Sequence, residues 1–324
     1  MSKRNLLRIH NPYSGELEGE IESTPEEQIP EIVAQAFNAF NHNKLPSVDR
    51  AGILAGAARR LEEQKEEWTV SICRETGKPI RECRVEVERA VITLNFSAQE
   101  ALRIEGLIQP CDVTEQRLAG NAYIHRVPLG VILAVTPFNF PLNIPAHKIG
   151  PALAAGNAVI LKPSPTAPLS TAAFAGLFHE AGLPEQLLQV VIGGSRVTKA
   201  LLQSEISAVS FTGSSRSGNE IAKWVEGKKL LLELGGNDAA IVMGDANLEQ
   251  AAAAIVSHRF GSSGQRCTAC KRVFIHHSVY RDMKEKLIDR ITRLKAGNPM
   301  DEKTDIGPLA DERSAEEIYK RIKE

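Results

Sequence analysis

The side chain in this sequence best placed to act as a nucleophile is the thiol of Cys267, at the end of Gly264-Gln-Arg-Cys267. A glycine-bearing loop can leave a thiol partly exposed. An adjacent arginine or helix end can bring its pKa below the free value of ~8.5. A thiolate so placed attacks electrophilic carbon and divides one difficult reaction into two easier ones. Such an attack needs a donor for the oxyanion that develops, and a base for the second half. Val135-Thr-Pro-Phe-Asn-Phe-Pro141 offers the donor, because two prolines stiffen the backbone around the amide of Asn139. Leu232-Glu-Leu-Gly-Gly-Asn237 offers the base. Burying Glu233 between two leucines would raise its pKa toward neutrality, as suits a general base. Taken singly, each has a plain structural reading: a packed thiol, a turn-capping Asn, an exposed strand-end Glu.

Two further segments could bind phosphate or sugar. Phe211-Thr-Gly-Ser-Ser-Arg-Ser-Gly218 closes a strand and opens a helix. Gly213 permits close backbone approach, Ser214 could donate a hydroxyl, and the helix start presents N–H groups and a positive dipole end. Leu161-Lys-Pro-Ser-Pro165 puts a lysine at a strand end, where Lys162 can reach a ribose or phosphate oxygen as a point charge. An ordinary turn and a surface lysine are the alternatives. The sequence contains neither GxGxxG nor GxxxxGKS/T.

The elements that must position these residues follow from periodicity. Helices are predicted over 29–41, 47–68 and 79–105. The last has an apolar face of Val87, Val91, Leu94, Ala98 and Ala101 and a charged face, read as solvated, of Arg84, Glu86 and Glu88. Residues 107–127 read as an extended hairpin or arm, with Gly120-Asn121 as the turn signal and edges that want a partner strand. From Gly130, apolar strand-like runs at 130–136, 157–162, 187–192, 207–211 and 239–243 alternate with helix-like segments at 144–155, 168–181, 195–204 and 215–226. That alternation implies a parallel sheet with right-handed crossovers, covered on both faces. A helix over 248–259 precedes the Cys267 loop, and a strand over 272–276 and a helix over 279–295 follow it. Ser314-Ala-Glu-Glu317 fits a capping box opening a last helix.

Composition excludes several classes. The chain has 324 residues, a net charge of -1, 43% hydrophobic and 24% charged residues, so nothing favours nucleic acid or an anionic membrane as partner. No run of ~18 apolar residues suggests a bilayer span, and residues 1–12 hold no apolar segment of signal-peptide length, so a cytoplasmic protein is expected. Five cysteines scattered over the chain do not suggest a disulfide framework. Cys267 and Cys270 form a CxxC pair without the second pair or spaced histidines of a structural zinc site, so no metal is expected. Thiol–disulfide chemistry at that pair would make both cysteines equally necessary.

In type and order, Pro137-Phe-Asn-Phe-Pro141, Leu161-Lys-Pro-Ser164, Phe211-Thr-Gly-Ser214, Glu233-Leu-Gly-Gly236 and Gly264-Gln-Arg-Cys267 resemble the aldehyde dehydrogenase superfamily. The similarity runs from Asn11-Pro-Tyr-Ser-Gly15 to Thr304-Asp-Ile-Gly-Pro308, and the 34-residue interval from Glu233 to Cys267 is its most specific part. The resemblance implies an α/β protein with a Rossmann-like parallel-sheet cofactor domain, a partial α/β catalytic domain and a β-arm. Its boundaries would be 1–106 for the helical N-terminal part of the cofactor domain, 107–128 for an oligomerisation arm, 129–233 for the NAD(P)-binding domain and 234–324 for an incomplete catalytic domain. It implies Cys267 as nucleophile, Asn139 with the Cys267 N–H as oxyanion donors, and Glu233 as the base that hydrolyses a thioester. Val135, Pro137, Phe138, Lys162, Ser164, Pro165, Gly193, Gly213, Ser214 and Leu234 would line the cofactor. NAD-preferring relatives often carry a Glu three residues after the lysine. Here that residue is Pro165, which leaves NAD or NADP open.

Family members continue well past Glu324, so the resemblance also implies a fragment whose own turnover is weak. It implies a homodimer or homotetramer for a full-length form. The pattern around His147 resembles the branch acting on small or phosphorylated aldehydes such as lactaldehyde or phosphonoacetaldehyde, with His147 and Arg266 as candidates for an anionic substrate group. A CoA-acylating relative is the nearest rival, and Glu233 argues for water instead. An inactive fragment of a dehydrogenase is the remaining alternative.

Overall fold

The structure, a computed structural model, describes residues 6–112 and 120–323. The chain opens with an antiparallel hairpin, β1 (Leu6–His10) and β2 (Leu17–Glu22), which sequence periodicity did not suggest. Four helices follow: α1 (Ile29–His42), α2 (Ser47–Glu63), α3 (Lys65–Thr76) and α4 (Ile80–Ala101). The single helix expected over 47–68 is two helices. The backbone leaves helical geometry at Gln64 (φ −103°, ψ 21°), and α3 runs on to Thr76. Gly77 ends α3 in the left-handed region at φ 70°, where a Cβ would strike the Pro12 and Pro308 rings at 2.8 and 2.7 Å. Only glycine allows the hairpin and the late 298–308 segment to converge there.

The arm consists of β3 (Leu107–Pro110) paired antiparallel with β4 (Asn121–Ile124). Gly120 and Asn121 are not its tip. Pairing continues through Cys111 N to Gly120 O, and the remainder of the expected arm, 113–119, lies outside the described residues.

Then the alternating region begins: β5 (Val131–Val135), α5 (Asn143–Ala154), β6 (Ala158–Lys162), α6 (Pro168–Glu180), β7 (Leu188–Val190), α7 (Ser195–Gln203), β8 (Ala208–Thr212), α8 (Ser215–Trp224) and β9 (Lys229–Glu233). The five strands are parallel in the order β7-β6-β5-β8-β9. β5 and β6 are buried throughout, as strands covered on both faces must be. The fold is therefore α/β with a parallel sheet. β9 was not read from the sequence because its residues alternate between exposed and half-buried at a sheet edge. A large core joins the sheet to α1–α6, with Leu133, Ile160, Phe174, Phe178 and Leu94 among its fully buried side chains.

Beyond β9, β10 (Asp238–Val242) pairs in parallel with β11 (Cys270–Ile275) around α9 (Leu248–Phe260), and α10 (Tyr280–Thr292) packs on α9. This small unit has its own cluster around Val242, Ala252, Ile255 and Met283. The last helix, α11 (Glu312–Lys323), begins before the expected capping box. Asp311 accepts from Ser314 N at 2.7 Å, so Asp311 rather than Ser314 caps it. No helix among the described residues is long and apolar enough to cross a membrane.

Two expectations about charge are overturned. Glu86, expected on a solvated face, is buried at 1% exposure and pairs with Lys78, which is also buried. Glu233 is exposed rather than buried between its leucines.

Candidate active site

In the order β7-β6-β5-β8-β9, successive connections lead outward from β5 in one direction and then from β8 in the other. The β5/β8 boundary is the topological switch point, and its carboxyl-end crevice is where open parallel sheets take ligands. A cleft of about 980 Å³ opens there.

The cleft gathers residues far apart in the chain. Val135, Pro137, Phe138 and Asn139 line it from the end of β5, Lys162, Ser164 and Pro165 from β6, Gly213 and Ser214 from β8, and Leu234 from β9. Arg266 and the exposed Cys267 complete the predicted set on its wall. Gly193 is not on the wall; Gly194 and Ser195 are. Glu233 ends β9 beside the lining residues Leu234 and Gly235, and its charge reaches the Lys148 ammonium. Residues that the sequence did not single out also line the cleft, namely Lys199 and Trp224 on α7 and α8 and Glu317, Ile318 and Arg321 on α11. The Lys199 ammonium lies 4.3 Å from the centroid of the Trp224 ring. Periodicity marks these as ordinary helix-surface positions, and only the packing of the helices turns them inward.

The Cys267 loop has an unusual backbone. Ser262 and Ser263 both hold left-handed φ, at 52° and 55°, a conformation few non-glycine residues adopt. Several bonds clamp the loop. The Glu82 carboxylate accepts from Ser262 N and Oγ at 2.6 and 2.9 Å, Ser263 Oγ donates to Gly307 O at 2.9 Å, and Gln265 Oε1 accepts from Ala310 N at 3.0 Å. Asn139 Nδ2 donates to Gln265 O at 2.7 Å, which binds the β5 turn to the thiol's own loop.

Charge around the cleft is mostly positive. Lys162 is 4% exposed, with its ammonium on Pro163 O at 2.9 Å, and desolvation lowers its pKa to about 8. Lys148 on α5 donates to Ser210 Oγ at 2.9 Å. Desolvation lowers its pKa to about 8 against the opposing pull of Glu233. His147, on the exposed side of α5, has its pKa lowered by desolvation first and then by the charges of Arg89 and Lys148. Ser214 caps α8 by accepting from Ser217 N at 3.1 Å, so its oxygen is already engaged. A Cβ on Gly213 would come within 2.5 Å of the Phe211 ring, so glycine keeps this turn tight.

A second cavity of about 940 Å³ is lined in part by the thiol loop, through Gly261, Ser262 and Arg266. Arg89, Phe140, Glu86, Glu82 and Ser262 are on its wall, and Arg266 borders both cavities. The Nε atom of Arg266 is buried with no partner among the described residues. No group of three or more His, Cys, Asp or Glu among the described residues could hold a metal ion.

The aldehyde dehydrogenase family model matches residues 1–324. An aldehyde-dehydrogenase-like protein of Sinorhizobium fredii is 39% identical over 98% of this chain and 62% of its own length. A 3-sulfolactaldehyde dehydrogenase of Priestia megaterium is 40% identical, over 98% of the chain and 67% of that protein. Among solved structures, an NADP-dependent glyceraldehyde-3-phosphate dehydrogenase from Bacillus halodurans C-125 complexed with NADP superimposes with a TM-score of 0.95 at 36% identity, over 98% of this chain and 67% of that one. The chain thus spans about three-fifths to two-thirds of the length of these relatives.

Proposed function

The chain belongs to the aldehyde dehydrogenase family, and from that premise we propose that its cleft oxidises a small anionic aldehyde to the acid through a thioester on Cys267, with NAD or NADP as acceptor. The observation that carries the reading is the Asn139–Gln265 bond. It ties a rigid amide donor to the loop of an exposed thiol, inside a cleft large enough for a dinucleotide.

The lining fits such a cofactor. Lys162 is a buried cation with no acidic partner among the described residues, and a ribose or phosphate oxygen would relieve its desolvation. The start of α8 opens on the cleft at Ser214, Arg216 and Ser217, and a helix N-terminus suits a pyrophosphate. Lys162, Lys199 and Arg216 outnumber the acidic Glu220 along this half of the cleft. Ser164 and Pro165 sit beside Lys162 without a carboxylate, so a 2′-phosphate meets no repulsion there. When bound, the nicotinamide supplies a hydride acceptor.

The chain's own residues do the rest. The Cys267 thiolate adds to the aldehyde carbon, and the second N–H of the Asn139 amide, the one not on Gln265 O, meets the oxyanion together with the Cys267 N–H. After oxidation, Glu233 takes a proton from the water that releases the acid. The charge of Glu233 in turn supports the ammonium form of Lys148, whose pKa burial lowers to about 8. The substrate's anionic group is met by Arg89 and Arg266 on the wall of the second cavity, and His147, on the wall of neither cavity, is within reach of the Arg89 charge. Relatives named for 3-sulfolactaldehyde and glyceraldehyde-3-phosphate act on anionic aldehydes, which supports this choice.

The test is an aldehyde panel, neutral and anionic, with each cofactor. Reduced nicotinamide, acid product and the mass of any acyl adduct on Cys267 are measured. Turnover of anionic aldehydes with a Cys267 adduct is expected. Acid formation that persists in Cys267→Ala removes the assigned nucleophile, and a rate that rises with added CoA transfers the reading to the acylating class.

A further inference from the structure

The proposed chemistry needs the Cys267 loop and the Asn139 turn at a fixed separation, and both are anchored to one helix. Glu82 and Glu86 stand four residues apart on α4, so they lie one turn apart on the same face. Glu82 Oε2 accepts both the N–H and the hydroxyl of buried Ser262. Without it, a buried N–H would lose its partner at the very residue where the backbone turns left-handed. Glu86 Oε1 accepts from Leu142 N at 2.9 Å and Asn143 N at 3.1 Å, the residues that open α5 just after Asn139. Its other oxygen takes the Lys78 ammonium, which itself lies 4.1 Å from the centroid of the Phe140 ring. Thus the residue next to Asn139 and the two that open the following helix are all held from α4 and its flanking turn.

Resting on the reading that Cys267 attacks and Asn139 holds the oxyanion, we propose that Glu82 and Glu86 are positioning residues that fix the thiol loop and the amide turn to a single rigid helix. Neither touches the reacting atoms. Each acts through main-chain N–H groups, which keeps the loop and the turn in register with one another. Misplacement of a reacting group by ~1 Å can cost about 100-fold in rate, so the effect should be large.

The experiment uses the full chain as wild type, Glu82→Ala, Glu82→Gln and Glu82→Asp. Carbamidomethylation of Cys267 by iodoacetamide is followed by peptide mass across neutral to alkaline pH, beside kcat, KM and the melting temperature. Glu82→Ala is expected to change the Cys267 alkylation rate by about tenfold or more, with a displaced pH profile. It should lower kcat more than it raises KM. Glu82→Gln keeps the accepting oxygen and should recover most of the loss. A carboxylate that only stabilises the fold would lower the melting temperature and leave the alkylation profile of the folded protein unchanged, and that result overturns the proposal. If Glu82→Ala does not fold, Glu82→Asp decides. Its shorter side chain draws the loop toward α4, so an altered Cys267 profile supports the proposal and a wild-type profile overturns it. For Glu86, the kcat loss in Glu86→Gln should nearly vanish when Asn139 is already alanine, and full additivity of the two losses overturns its role. A wild-type chain that reduces no cofactor with any aldehyde defeats the functional reading alone, because the alkylation comparison still decides on Glu82.

Discussion

Asn139 Nδ2 and the Gln265 carbonyl lie 2.7 Å apart, although 126 residues separate them in the chain. The bond fixes which end of the amide is nitrogen, since an oxygen facing that carbonyl would be repelled. One N–H is engaged and the other remains for a ligand. Replacing Asn139 with alanine is therefore expected to lower kcat by about 100- to 1,000-fold, or ~2.7–4 kcal/mol of barrier, the usual value of one oxyanion donor. KM should change far less. Steady-state kinetics check this, and an unchanged kcat removes the amide from the reaction.

The two cysteines of the CxxC pair have different surroundings. Cys267 is exposed on the cleft, whereas Cys270 is buried at the start of β11 with its thiol toward Arg272 O at 3.4 Å. Cys267→Ser is expected to reduce acid formation by at least about 1,000-fold, and Cys270→Ser to leave kcat close to wild type. Equal losses from both would favour thiol–disulfide chemistry and count against the thioester route.

Motifs that end buried parallel strands were legible in the sequence because such strands read as unbroken apolar runs. The ends of β5, β6 and β8 could be located, and with them Asn139, Lys162 and Gly213. Glu233 was harder to judge. Its flanking leucines suggested burial, but β9 is an edge strand and leaves the carboxylate exposed. Glu86 departs from expectation in the opposite direction, because its neighbours on α4 are charged and its partner Lys78 lies before the helix begins. Periodicity reports the average face of a helix. It does not show that one carboxylate on that face will turn in to meet two N–H groups of another helix. The reach of the Arg89 charge to His147 was equally hidden, since it depends on how α4 crosses α5 rather than on any local pattern.

Lys162 gives a pH dependence whose sign can be stated. Desolvation lowers its pKa to about 8 in the cofactor-free protein. A phosphate or ribose oxygen favours the ammonium and raises that value, so binding takes up a proton above pH ~8. Affinity for NADP is expected to be level below pH ~8 and to fall above it, by up to about tenfold per pH unit. Stability of the free protein runs the other way. The unfolded lysine stays protonated to pH ~10.4, so the unfolded chain binds more protons and stability rises between pH ~8 and ~10.4. Kd for NADP across this range in wild type and in Lys162→Met tests the first sign, with the variant weaker and nearly pH-independent, and denaturant unfolding of the two cofactor-free proteins over the same range tests the second.

Pro165 stands three residues beyond Lys162 on the cleft wall, where a carboxylate would face a 2′-phosphate. Two like charges ~4 Å apart repel by about 1–4 kcal/mol between bulk water and a partly screened surface. Pro165→Glu should therefore weaken NADP binding by about tenfold or more while leaving NAD affinity similar or improved. Separate Kd values for the two cofactors decide it, and a parallel loss of both would mean that position 165 shapes the loop without reading the phosphate.

Arg89 carries the substrate argument. It is on the wall of the second cavity with Arg266, a wall that also carries acidic side chains such as Glu82, Glu86 and Asp305, and its charge helps lower the His147 pKa. An anionic group on the substrate would pair with the Arg89 guanidinium through a charge-assisted hydrogen bond. Arg89→Ala should therefore raise KM for a sulfonated or phosphorylated aldehyde by about tenfold, the scale of one charge-assisted hydrogen bond of ~1.5 kcal/mol or more. KM for propanal, which has no charge to pair, should hardly move. The same substitution should raise the His147 pKa, because one of the two cations depressing it is gone. Comparing the two aldehydes in wild type and variant, with His147 followed by NMR titration, tests both consequences. Equal KM changes for charged and neutral aldehydes would show that Arg89 supports the cavity wall without recognising the anion.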